Sequence, residues 1–124
     1  MEIYKTRWFS KWAEKNGISD NALRSTITEL ETGLSTVNLG GSVFKKRVAT
    51  SGQGKRGSSR VILAYQEGSK TFFIYGFAKN AKSNLEDKEL RALKKLATEL
   101  LQYSRQKLAE LVKTKTLFEV KENE

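Results

Sequence analysis

Apolar residues recur at helical spacing in two short stretches near the N-terminus. Phe9, Trp12 and Ala13 fall on one helical face, and Asn16-Gly17 closes that turn. Ser19 is a suitable N-cap for a second helix. Its apolar face would be Ala22, Leu23, Ile27 and Leu30, with Gly33 just past its end. From Val37 the pattern changes to a period of two. Val43 to Val48 reads as a strand entered through a bend at Gly40-Gly41. Val61 to Gln66 reads as a second strand and Thr71 to Ala78 as a third, with Glu67-Gly68-Ser69-Lys70 as the hairpin turn between them. Ser83 and Glu86 have the spacing of a capping box. They open a long helix whose stripe is Leu90, Leu93, Ala97, Leu100, Leu101, Leu108 and Leu111. Thr116 to Val120 reads as a short last strand. Strands grouped between helices predict an α+β fold: a small antiparallel β-sheet packed against two short N-terminal helices and one long C-terminal helix. With no proline and no linker-like segment, residues 1–124 are expected to form a single domain.

Composition narrows the chemistry. No apolar run is long enough to span a membrane, and the first residues lack the apolar core of a signal peptide. The chain has neither cysteine nor histidine. Disulfides, Cys/His zinc sites and Ser-His or Cys-His nucleophiles are therefore excluded, and a cytoplasmic location is the default expectation. Any catalysis falls to Lys, Arg, Glu, Asp, Tyr or Ser. The net charge of +9 favours a polyanionic partner: nucleic acid, the ribosome or an acidic protein.

The basic excess is concentrated. Between Thr32 and Gln66 there is no Asp or Glu, yet that interval holds Lys45, Lys46, Arg47, Lys55, Arg56 and Arg60. Side chains alternate along a strand, so Lys45 and Arg47 share one face and Phe44, Lys46 and Val48 the other. By the same alternation Tyr75, Phe77 and Lys79 share a face. If the three strands are neighbours, one face presents Lys45, Arg47, Arg60 and Lys79, with Phe77 as a candidate base-stacking surface. Tyr75 is expected to be core under the long helix. Lys46, Lys55, Arg56 and Lys82 are expected as further contacts to RNA or the ribosome.

The stretch Ser51-Gly-Gln-Gly-Lys-Arg-Gly-Ser-Ser-Arg60 contains the spelling of a dinucleotide fingerprint. That motif must open a helix, because the helix N-terminus receives the pyrophosphate. Here a strand-like run follows, and no acidic residue about 20 positions on holds a ribose. The phosphate-loop pattern also fails, since Arg56 stands where Ser or Thr is required. Both nucleotide-binding readings are rejected.

Several motifs taken together carry a resemblance. They are Gly40-Gly41-x-x-x-Lys45 with Arg47, Gly52-Gln-Gly54-Lys55-x-Gly57-x-x-Arg60, and Gly76-Phe77-Ala78-Lys79-Asn80 followed by Glu89-Leu90. With Tyr4-x-Thr-Arg-Trp-Phe9 and Phe118-Glu-Val120 at the ends, the chain resembles the RelE/HigB toxins of bacterial toxin–antitoxin systems along nearly its whole length. The resemblance implies a small α+β ribonuclease fold, cleavage of mRNA in the A site of the ribosome's small subunit, and a cognate antitoxin encoded next door, often a helix-turn-helix protein. It passes the phosphate-binding and catalytic roles to Lys45, Arg47, Arg60 and Lys79. Some relatives place a Tyr shortly after the last basic position; the segment Asn80 to Leu85 has none.

RNA carries its own nucleophile, the 2′-hydroxyl, so preorganised cations suffice as catalyst and neither metal nor cofactor is expected. Arg47 and Arg60 are placed as a phosphate clamp, Lys45 as general base and Lys79 at the leaving oxygen, the last two being interchangeable. Two other classes compete. Relatives in the ParE branch bind DNA gyrase without cutting RNA, and a plain RNA- or ribosome-binding module could share the basic face.

Overall fold

The run Val61 to Ala64 contains no polar residue, and all four side chains are fully buried. The computed structural model accounts for this: helices cover both faces of the sheet to which the run belongs. The structure describes residues 1–33, 36–49, 58–78 and 84–121. In chain order these form β1 (Glu2–Thr6), α1 (Arg7–Lys15), α2 (Asp20–Glu31), β2 (Thr36–Gly40), β3 (Val43–Ala49), β4 (Ser58–Gln66), β5 (Lys70–Ala78), α3 (Asp87–Gln102), α4 (Arg105–Lys113) and β6 (Leu117–Glu119).

Local signals account for the first helices. The Thr6 hydroxyl accepts from the Phe9 amide at 3.1 Å and starts α1, and the Ser19 hydroxyl accepts from the Ala22 amide at 3.1 Å and starts α2. Phe9, Ala13, Leu23, Ile27 and Leu30 then meet Val48, Val61, Leu63 and Phe73 on one face of the sheet. On the opposite face Ala97, Leu100 and Leu108 meet Val43, Ile62, Ala64, Phe72, Ile74 and Phe77.

The sheet has six strands in the order β2-β3-β4-β5-β1-β6. Two features depart from the expected small antiparallel sheet. β2 and β1 are strands, and β1 runs parallel to β5, with Tyr4 opposite Phe72. β1 reads poorly as a strand because Glu2, Lys5 and Thr6 interrupt its apolar pattern. It is held instead by non-local contacts, including a ring stack of Tyr4 on Phe72 at 5.2 Å. Burial, reinforced by Glu2, pushes the Tyr4 hydroxyl up to about 12, so it stays a hydrogen-bond donor to Glu2.

The long C-terminal helix is also corrected. It divides at Tyr103, which is extended, and Ser104 caps α4 by accepting from the Lys107 amide at 3.0 Å. The break lets Leu108 turn back into the core. At the other end Glu86, not Ser83, is the cap of α3. The Glu89 carboxylate accepts from the Glu86 amide at 2.9 Å, while Ser83 lies outside the described residues.

β5 carries a bulge. Ile62 pairs with Tyr75 but Leu63 with Phe73, so Ile74 is the extra residue. Ile74 and Tyr75 consequently both lean toward α3, and beyond the bulge Tyr75 and Phe77 keep the face that alternation assigned them.

Candidate nucleic-acid interface

The three central strands bring the basic residues together. β3 and β4 are antiparallel with Lys45 opposite Ile62 and Arg47 opposite Arg60; β4 and β5 set Arg60 opposite Phe77 and Ile62 opposite Tyr75. Directly opposed residues share a face and stand about 5 Å apart at Cβ. Lys45, Arg47, Arg60, Tyr75 and Phe77 therefore lie on the same side of the sheet, the side that α3 covers. They lie beside the N-terminus of α3: the Lys45 ammonium donates to the Asn84 side-chain oxygen at 3.2 Å, and the Tyr75 hydroxyl donates to Glu89 at 3.3 Å. Tyr75, expected as core, is half-buried at the edge of that cluster.

Cations predominate in this patch, with the Glu89 carboxylate of α3 at its edge. Arg47 is exposed, and among the described residues no carboxylate forms an ion pair with Lys45 or Arg47. Like charges placed directly opposite one another across a ladder are destabilising. The Arg47–Arg60 pair thus places two like charges side by side on one face of the sheet. Guanidinium groups are suited to bidentate contact with phosphate oxygens.

Two expected contacts are corrected by burial. Lys46 is only 2% exposed and points to the α2 side, where its ammonium meets the Glu29 carboxylate at 2.6 Å and the Arg47 carbonyl at 3.3 Å. It is a core cation, with no surface left for RNA. Alternation had already placed it with Phe44 and Val48; what it lacked was the partner from α2. Phe77 is 5% exposed and packs in the core, tilted against Tyr75 at 6.2 Å. It stands beside Arg60 on the same face and, being buried, offers no face to a base. Lys55, Arg56, Lys79 and Lys82 lie outside the described residues. Two residues near the cations carried no sequence signal for their roles: Asn84, which holds Lys45, and Glu29, which neutralises Lys46.

Among the described residues no three Asp or Glu side chains come together in a way that could hold a metal ion. A separate concavity of about 360 Å³ lies between α1, α3 and α4, lined by Trp8, Ile74, Leu96, Leu100 and Leu111. Its lining includes one cation, Arg7, whose Nε donates to the Lys115 carbonyl at 3.0 Å. This apolar groove lacks the charge that a phosphate backbone requires, whereas the Lys45–Arg47–Arg60 patch has it.

No curated protein matches the chain. The family model described as the RelE toxin of the RelE / RelB toxin-antitoxin system matches residues 1–120. That span takes in every described strand and helix and the whole basic ladder. The chain belongs to the RelE toxin family.

Proposed function

We propose that this protein is the toxin of a toxin–antitoxin module and cleaves mRNA on the ribosome, in the A site of the small subunit. RelE toxins are in general endoribonucleases that inhibit translation. The observation that carries the proposal here is the Arg47–Arg60 cross-strand pair beside Lys45, a cluster of like charges with no carboxylate paired to Lys45 or Arg47 among the described residues.

The reaction uses the substrate's own 2′-hydroxyl. A base, for which Lys45 is the candidate, takes its proton; the 2′-oxygen bonds to the adjacent phosphorus and the bond to the 5′-oxygen breaks. The products are a 2′,3′-cyclic phosphate and a 5′-hydroxyl end. Negative charge grows on the phosphoryl oxygens during attack; Arg47 and Arg60 are the candidates that meet it, and donors preorganised for that charge are the main source of rate. Lys79, by its place after β5 in the sequence, is the candidate that protonates the leaving oxygen. No metal is assigned a role in these steps. The partners implied are mRNA on the ribosome and a cognate antitoxin, expected to be a helix-turn-helix protein encoded alongside.

Mapping of message 5′-ends after induced expression tests the proposal. New ends in register with translated codons are expected. Intact messages with SOS induction would point instead to gyrase inhibition, and intact messages without it to a plain binding module.

A further inference from the structure

β1 pairs with β5 only as far as Lys5 opposite Phe73, and the chain then turns into α1 at Arg7. Beyond that point, among the described residues, β5 has no strand on its β1 side. Trp8, in the first turn of α1, covers this open edge. Its indole stacks on the Tyr75 ring at 4.8 Å with 25° between the planes, yet the residue stays 48% exposed. Trp12, one turn on, stacks beside it at 6.3 Å. An indole braced by two rings and still accessible to solvent is suited to stack on a further flat, aromatic group.

The stack leads to the basic ladder. Tyr75 and Phe77 share the ladder's face with their rings 6.2 Å apart, and Phe77 is paired with Arg60. The Trp8 and Phe77 rings are therefore separated by at most the sum of 4.8 and 6.2 Å. That is within reach of a base whose strand is held by a phosphate at Arg60. α1 adds charge of the matching sign. Lys11 and Lys15 follow Trp8 at i+3 and i+7, on the same flank of the helix. Both are exposed, and among the described residues neither pairs with a carboxylate. Glu14, the one acid of this helix, is turned about 120° away from Trp8. Aromatic rings interleaved with cations are the means by which proteins hold single-stranded nucleic acid.

We propose that the outward flank of α1 extends the RNA-binding surface. A base neighbouring the scissile phosphate stacks on Trp8, and Lys11 meets the backbone beyond it. Trp8 thereby takes the stacking role that the burial of Phe77 leaves open. The proposal rests on the assignment of Arg47 and Arg60 as the scissile-phosphate clamp.

The test uses a fully 2′-O-methylated, uncleavable RNA of about 12 nucleotides and an abasic strand of the same length. Trp8 and Trp12 are the two tryptophans of the chain, so quenching of their emission reports stacking directly. RNA should quench wild type saturably, and the abasic strand should not. In Trp8→Phe, where Trp12 alone emits, the quenching should be lost. Affinity is read from the anisotropy of labelled strands against salt concentration. Trp8→Leu, which keeps an apolar cover on Tyr75, should bind RNA about tenfold more weakly, with the salt slope unchanged and no loss toward the abasic strand. Lys11→Met should reduce the slope by about 0.7 with both strands. The wild-type quenching decides the matter even where Trp8→Leu melts low. No saturable quenching, quenching that persists in Trp8→Phe, an equal loss with the abasic strand, or an unchanged slope in Lys11→Met would overturn the proposal. If Arg60→Ala loses binding and Trp8→Leu does not, the stack on α1 alone is wrong; if Arg60→Ala binds like wild type, the clamp assignment fails.

Discussion

Arg47 and Arg60 stand opposite one another across the β3–β4 ladder, and the proposed function assigns them to the scissile phosphate. Losing one donor aimed at developing charge costs on the order of 100- to 1000-fold in rate. Arg47→Ala and Arg60→Ala are therefore each expected to abolish toxicity on induction while remaining folded, and Arg47→Ala, at an exposed position, to melt close to wild type. Growth curves and thermal melts check both halves; full toxicity in soluble variants would remove these residues from the site. Lys46, their sequence neighbour, behaves oppositely. It is buried against Glu29, whose own side chain is 47% exposed. Glu29→Ala strands a cation in the core and should cost up to about 3 kcal/mol, whereas Lys46→Met, which removes the charge and keeps the volume, should cost far less. Denaturant unfolding of the two variants gives the comparison. Three adjacent basic residues of one strand thus have two fates: alternation puts Lys46 on the other face, and Glu29 of α2 buries it there.

At the scale of elements, β5 is tuned by a single missing methyl. A Cβ on Gly76 would lie 2.3 Å from the Trp12 ring, with two more ring atoms within 2.7 Å. α1 can lie flat on the strand only because Gly76 has no side chain. Gly76→Ala should cost about 1–3 kcal/mol by overpacking. That cost should shrink in a Trp12→Leu background, a coupling that a double-mutant cycle measures directly. Equal costs in both backgrounds would mean that the strain arises elsewhere. Through β5 this packing also bears on the basic patch, since Phe77 follows Gly76 and is paired with Arg60 across the β4–β5 ladder. The helices α1 and α2 and the strands β3, β4 and β5 were legible because each is specified by neighbours in sequence: a cap, a periodic face, a glycine at the end. The division of α3 from α4 was not. The apolar stripe continues through Tyr103 and Ser104, and the turn there is imposed by how Leu108 reaches the sheet.

For the molecule as a whole, the two ends of the chain are joined around α2. Asp20 accepts from the Lys5 ammonium of β1 at 2.8 Å and from the Lys121 backbone amide, just after β6, at 2.9 Å. Desolvation opposes ionisation of its carboxyl, but the hydrogen bonds from Lys5 and Lys121 outweigh it and hold the carboxyl below the usual aspartate range. A depressed carboxylate contributes stability that is fully present above its unfolded value and is lost as pH falls through the folded one. The clamp should therefore hold at neutral pH and weaken below about pH 4. Asp20→Asn should cost about 1 kcal/mol at pH 7, given its partial exposure, and should flatten the acid side of the stability profile. Melting curves between neutral and acid pH check this; parallel profiles for the two proteins would show that Asp20 is not the clamp.

What could be read along the chain was local or compositional: helix ends, the alternation on the three central strands, the acid-free basic window, and the absence of every side chain that histidine or cysteine chemistry requires. These sufficed to place Lys45, Arg47 and Arg60 on one face, because strand alternation is a property of the backbone. Tertiary structure decided the rest. Whether Lys46 and Phe77 are available depends on what α2 and the second helical layer bring over them, and no local pattern encodes a partner 17 residues away, as Glu29 is from Lys46. The strand character of Glu2–Thr6 depends likewise on an edge offered by β5. Lys94, on a helix, meets the Gly40-Gly41 turn only because the sheet passes beneath it.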